Sequence, residues 1–233
     1  MKKLHEAVRS TELQKFFRTV RRMVESSESK QRCIDMFQAT GFNVFKLIEP
    51  DENKLSDILA DLLSPKGSHG QSDLFLRLLF QQLKFKADRK YTKKATVHRE
   101  APTHGILKFR RRMDVFIEAG ALVAIENKVD SPEQVGQVND YLDHLHLCAR
   151  GRNAHTALIY LTPDGRLPKS LRATRLKKAQ ESGRLHCWSY REQLLTWLKA
   201  CHKRCLAKRV CGFLGDFIAY IETDLQSRSM NQK

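Results

Sequence analysis

From Met113 to Lys128 the chain reads MDVFIEAGALVAIENK, two short apolar runs hinged on the single glycine Gly120. Runs of this length, rich in β-branched residues and bounded by a turn residue, predict the two strands of a hairpin. With Ala119, Gly120 and Ala121 at the tip, cross-strand partners are positions whose numbers add to 240, and Asp114 falls opposite Glu126. Their Cβ atoms would then lie roughly 4.5–5.5 Å apart. The same register sets Arg112 opposite Lys128. Alternation gathers Asp114, Glu126, Lys128 and Arg112 on one face, with Met113, Val115, Ile117, Val123 and Ile125 on the other. Two like charges this close repel unless a proton or cation intervenes, so a metal ion between the carboxylates is the economical explanation. A solvated face with Arg112 and Lys128 as ion-pair partners fits the same pattern. A β-bulge or an even-length loop would part the two carboxylates.

The remaining sequence frames that hairpin. Helical spacing covers about Glu12 to Ser26, and Pro50–Asp51 is a start signal for a helix running to Leu63, stopped by Pro65, Gly67 and Gly70. A third helix follows from about Ser72. Strands are predicted over Ala95–Ala101, Lys108–Ala119, Ala121–Val129 and His155–Pro163, with LHCWSY a further one. Between the third and fourth strands lies a helix with Ser131 as N-cap and Pro132 at its first position. Helices close the chain. This order predicts an α/β sandwich with a mixed sheet flanked by helices. At 233 residues and 41% hydrophobic, one elaborated domain is expected, with a helical extension over 1–48, a core over 49–190 and C-terminal helices over 191–233.

Lysine and arginine number 42 against 26 acidic residues, a formal charge of +16, which makes nucleic acid the first partner to consider and a plain solvated basic surface the alternative. Basic clusters occur at Arg21–Arg22, Lys84–Lys94, Lys108–Arg112 and Arg172–Lys178. No apolar run approaches the ~18 residues of a membrane span, and MKKLHEAVRS turns polar at once, so no membrane contact and a cytoplasmic location are expected. The six cysteines are scattered and expected to be reduced. CHKRC lacks the second ligand pair of a structural zinc site. Neither a P-loop nor a zinc finger occurs, so nothing supports ATP-driven motion or sequence-specific reading.

The segments RRMD and IENK, an aspartate on one strand and Glu-x-Lys near the end of the next, resemble the PD-(D/E)XK nuclease superfamily. Within it the chain is similar to a bacterial branch with an N-terminal helical "E…LSDILADLLSPKGSHG…F" segment, a GR-x-D strand and an IENK strand. The likeness extends from about Phe42 to Tyr190, with SYREQLLTWL in keeping. It implies a restriction-endonuclease-like αβββαβ core and a Mg²⁺-dependent nuclease, with Mn²⁺ able to substitute, acting on DNA in phage defence or DNA processing. A homodimer or an activating protein partner stays open. So do two other readings, a non-catalytic nucleic-acid-binding scaffold and a structure-selective junction or end nuclease.

The resemblance also implies roles. Asp114, Glu126 and the backbone carbonyl of Asn127 would ligate the metal, and Lys128 would position the attacking water and stabilise charge on the phosphate. Glu52 would complete the metal set; on its residues alone, interaction with the helix dipole explains it as well. Gln134, Gln137 and Tyr141 form a polar stripe beside an apolar one of Val135, Val138, Leu142 and Leu145, similar to a Gln-x3-Tyr element that supports the site or substrate. Arg112 and Arg111 are candidate substrate contacts. Arg111 replaces the glycine of GR-x-D and is expected to add a cation beside the phosphate. His69 also matches the pattern, without a catalytic role.

Overall fold

A computed structural model describes residues 2–103, 111–152 and 154–230, with side chains from residue 12 to residue 225. The chain divides into two compact units, one up to Asn43 and one from Val44 onward. The first is a single long helix, α1 (Lys2–Gln38), which extends the expected helix in both directions. Its apolar residues Leu13, Phe16, Phe17 and Met23 are exposed.

The second unit is built on a five-stranded sheet: β1 (Thr96–Pro102), β2 (Arg112–Glu118), β3 (Ala121–Asn127), β4 (His155–Thr162) and β5 (Leu185–Ser189), in that spatial order. β1, β2 and β3 pair antiparallel, and β3, β4 and β5 parallel. Each parallel connection crosses through a helix, α6 (Gln137–Ala149) between β3 and β4 and α7 (Ala173–Glu181) between β4 and β5. A mixed sheet flanked by helices is what the order of elements predicts, and it agrees with the restriction-endonuclease-like core that the resemblance implies. Lys108 to Arg110, the start of the expected second strand, lie outside the described residues.

The hairpin closes in the expected register, with Val115 opposite Ile125, Ile117 opposite Val123 and Glu118 opposite Leu122. Gly120 turns it at φ +74°, and a Cβ there would stand 2.8 Å from the ring of Tyr91, so only glycine closes this turn without strain. Every residue of β3 is buried because both sheet faces are covered. On one face Val115, Ile117, Val123 and Ile125 meet Leu55, Leu59 and Leu63 of α3 (Glu52–Leu63), Phe75 and Phe80 of α4 (Leu74–Gln82), Trp197 of α8 (Leu195–Arg204) and Phe217 of α9 (Lys208–Met230). On the other, Phe116, Leu122 and Ala124 meet Val138, Tyr141, Leu142 and Leu145 of α6. Short helical turns α2 (Val44–Ile48) and α5 (Arg89–Thr92) complete the unit. No helix among the described residues is long and apolar enough to cross a membrane.

Three expectations need correction. Met113 belongs to the α6 side of the sheet, not to the face of Val115. Alternation breaks where Glu100, bracketed by the pairs Arg99–Val115 and Ala101–Met113, takes φ +48° beside Asp114. The helix after IENK starts at Gln137 rather than at Ser131–Pro132, behind Gly136 at φ +75°, because Ser131 gives its backbone N–H and hydroxyl to Glu52 instead of capping a helix. Val135 is consequently outside the helix and 92% exposed, not part of its apolar stripe.

Candidate active site

Asp51 caps α3, its carboxylate accepting from the N–H of Lys54 at 2.7 Å, so Glu52 opens the helix on the same stripe as buried Leu55, Ser56, Leu59 and Leu63. β3 delivers Glu126 and Asn127 from below. Lys128 follows just past the strand end, where its N–H still donates to Leu161 O at 2.8 Å. These three polar residues are 1%, 0% and 7% exposed. Burial on that scale demands partners for every polar atom.

The β2–β3 ladder stops at Val115–Ile125, so Asp114 and Glu126 are not paired across the hairpin as expected, yet Asp114 lies near enough for its charge to bear on Glu126. Asp114 accepts the N–H of Asn127 at 2.7 Å. Glu126 Oε1 accepts from Gln137 Nε2 at 2.6 Å and pairs with Lys128 Nζ at 3.0 Å. Its second oxygen, Oε2, is buried and has no hydrogen-bond partner among the described residues. Burial, then the charge of Asp114, pushes the pKa of Glu126 up to about 8. Burial likewise raises Asp114, against the N–H of Asn127 and the charge of Lys128. Burial works against the charge of Lys128, but Glu126 first, then Glu52 and Asp114, more than offset it and hold the ammonium above its usual range. At neutral pH the protein alone therefore keeps a proton where two carboxylates meet.

A divalent cation would take that proton's place. Among the described residues no group of three or more Asp, Glu, His or Cys side chains is gathered as a metal cluster. The fit rests instead on donor chemistry: an unpartnered carboxylate oxygen of Glu126 beside the carboxylate of Asp114 is a hard, oxygen-only pair.

Glu52 reaches the site from across the sheet edge. Its Oε1 lies 2.7 Å from Ser131 Oγ and 3.3 Å from Lys128 Nζ, and its Oε2 accepts the N–H of Val129 at 2.9 Å. Burial would raise its pKa, but Ser131, Lys128 and Val129 together bring it below the ordinary glutamate value. Lys128 thus sits between two carboxylates, with Ser131 Oγ at 3.2 Å.

Asn127 contributes more than its backbone carbonyl. The side-chain amide donates to Glu52 O and to Ser56 Oγ, both at 3.1 Å, and accepts from Tyr190 OH at 2.9 Å. One satisfied buried amide therefore joins α3, β3 and the π-helical turn Tyr190–Leu194. On the outer side Arg99 donates to Asp57 Oδ1 at 2.8 Å, to Asn53 O at 3.3 Å and to the carbonyl of Asp114. Ser56, Arg99, Ser131 and Tyr190 were not among the expected site residues; only Ser56, on the α3 stripe, carried a sequence signal.

Gln137 and Tyr141 come into the site and Gln134 does not. Gln137 Nε2 also lies 3.1 Å from Tyr141 Oη, and Tyr141 donates onward to Arg112 O at 2.6 Å. Gln134 turns its side chain to Arg111 Nη1, 2.9 Å away. Arg111 is no spare cation: its side chain is 9% exposed and its guanidinium donates to Asp140, Gln134 and the carbonyl of Val135. Arg112 is not opposite Lys128, because β3 ends at Asn127; its side chain is 70% exposed and pairs with Glu100 at 2.9 Å. His69 shapes the turn after α3, with Nε2 3.0 Å from Ser64 O and Nδ1 accepting from Gln71 N–H.

The family model of the PD-(D/E)XK nuclease superfamily matches residues 42–212 of this chain. No curated protein and no solved structure matches it. A chain that carries this mixed sheet, and that the family model matches over most of its length, belongs to the PD-(D/E)XK nuclease superfamily.

Proposed function

We propose that this protein is a nuclease that hydrolyses phosphodiester bonds of DNA with the help of Mg²⁺, for which Mn²⁺ substitutes. The observation that carries the reading is the buried, unpartnered Oε2 of Glu126 beside Asp114, a pair of oxygens that wants a cation. Asp114, Glu126 and the carbonyl of Asn127 would hold the ion, with Glu52 as the next carboxylate. When bound, the ion would polarise the phosphate and offset the charge that develops on it.

The protein's own groups supply the rest. Lys128, kept cationic by Glu126 and Glu52, is placed to orient a water for in-line attack and to stabilise negative charge on the phosphoryl oxygens as the P–O bond breaks. Ser131 and Glu52 restrain its ammonium, so little reorganisation is needed at the moment of reaction. Gln137 keeps Glu126 Oε1 engaged and leaves Oε2 to the cation. The charge of +16 over the whole chain favours binding of a polyanion, and defence against phage or DNA processing is a setting in which such an activity serves.

Cleavage of linear duplex, circular duplex, single-stranded DNA and RNA, each with Mg²⁺, Mn²⁺ or EDTA, tests the reading. Lys128→Ala should lower the rate by about 10²–10³-fold while nucleic-acid binding persists. Full activity in that variant, or binding without cutting in every metal, would turn the reading toward a non-catalytic scaffold.

A further inference from the structure

Arg111 occupies the position at which the resembled pattern has glycine, and its side chain is 9% exposed. The geometry points to Arg111 as a positioning residue for Glu126, acting through the 131–136 segment and the amide of Gln137. This inference rests on the reading of Asp114 and Glu126 as a cation seat.

The fork of Arg111 fixes both sides of one junction. Nε meets Asp140 in the first turn of α6, Nη1 meets Gln134 Oε1, and Nη2 meets the carbonyl of Val135. Gly136, in the left-handed region, lies between these anchors. With the junction held, the N–H of Gln134 donates to Gln137 Oε1 at 3.2 Å. That bond decides which end of the amide faces the site. Its oxygen is held on the loop side, so its NH₂ must face Glu126 Oε1 at 2.6 Å and Tyr141 Oη at 3.1 Å. A reversed amide would set oxygen against carboxylate oxygen. Arg111 therefore determines, at one remove, which oxygen of Glu126 is saturated and which is left for a cation. A lysine at this position could not reproduce the effect, because an ammonium does not span three acceptors in one plane.

A phosphate contact and a positioning role differ in what they move. Loss of a phosphate contact weakens DNA binding and lowers its salt slope by about one. Loss of positioning weakens the metal and the chemical step. The test is Mn²⁺ binding followed by electron paramagnetic resonance, together with kcat, KM and the salt dependence of duplex binding, for the unaltered protein, Arg111→Lys and Arg111→Ala. Thermal melts report whether each variant folds, and Arg111→Lys, which keeps charge and bulk, carries the test if Arg111→Ala does not. The expected result in Arg111→Lys is about 10–100-fold weaker Mn²⁺ binding, with a matching fall in kcat and an unchanged salt slope. Unchanged Mn²⁺ affinity, or a change confined to KM and salt slope, would overturn the inference while leaving the nuclease reading in place. An unaltered protein that neither binds Mn²⁺ nor cuts any substrate would overturn both.

Discussion

Glu126 is the residue on which the site turns, because it is ionisable, buried and only half satisfied. Without metal its folded-state pKa of about 8 lies above the ordinary value of 4.5, so the folded protein holds a proton that the unfolded chain releases. The unfolded state then binds fewer protons, and stability in EDTA should fall as pH rises from about 4.5 through about 8. Glu126→Gln should flatten that profile in thermal melts across the window. Mn²⁺ must displace the same proton, so its apparent affinity should rise about tenfold per pH unit up to pH 8; a pH-independent affinity would contradict the assignment. The placing of Glu126 was legible in the sequence because a strand has a period of two and a hairpin about Gly120 has few registers, whereas alternation breaks beside Asp114 and Lys128 lies past the end of β3. Ser131 and the amide of Asn127 were not: their bonds to α3 join residues 71 to 79 positions apart, and no local pattern encodes them.

At the scale of elements, the site is a junction of α3, β2, β3 and α6, and its stiffness comes from side chains that belong to one element and bond to another. Asn127→Ala would strip the amide that serves Glu52 O, Ser56 and Tyr190, leaving buried polar groups unpaired. The expected cost is about 1–3 kcal/mol per orphaned group, read as a lower urea midpoint at unchanged m-value, with Tyr190→Phe milder. Equal stability of Asn127→Ala and the unaltered protein would show that this amide does not hold the elements together. The succession of strands along the chain and the hairpin register followed from apolar runs and one glycine. The start of α6 did not, since Ser131–Pro132 is a good cap by local rules and was claimed by a carboxylate from another helix. The helix α7 was read only as a basic cluster because it buries a single residue, Ala179, and so lacks an apolar stripe.

For the whole molecule, charge is the governing quantity. An excess of 16 positive charges should make binding to nucleic acid steeply salt-dependent. If about 6–10 phosphates are neutralised, affinity should fall about 10³–10⁵-fold between 50 and 200 mM salt, measured by fluorescence anisotropy on a short duplex; a shallow slope would mean that the basic residues do not face the ligand. Composition announced this charge but not its distribution. Part of it lies on α7, and part on α1, a unit of its own. The central claim concerns something smaller, the two carboxylates on neighbouring strands. Diffraction from crystals soaked in Mn²⁺, collected at a wavelength where manganese scatters anomalously, tests it most directly. An anomalous peak is expected between Asp114 and Glu126 Oε2, lost in Glu126→Gln. A site with no peak, the proton still shared between the carboxylates at saturating Mn²⁺, would contradict it.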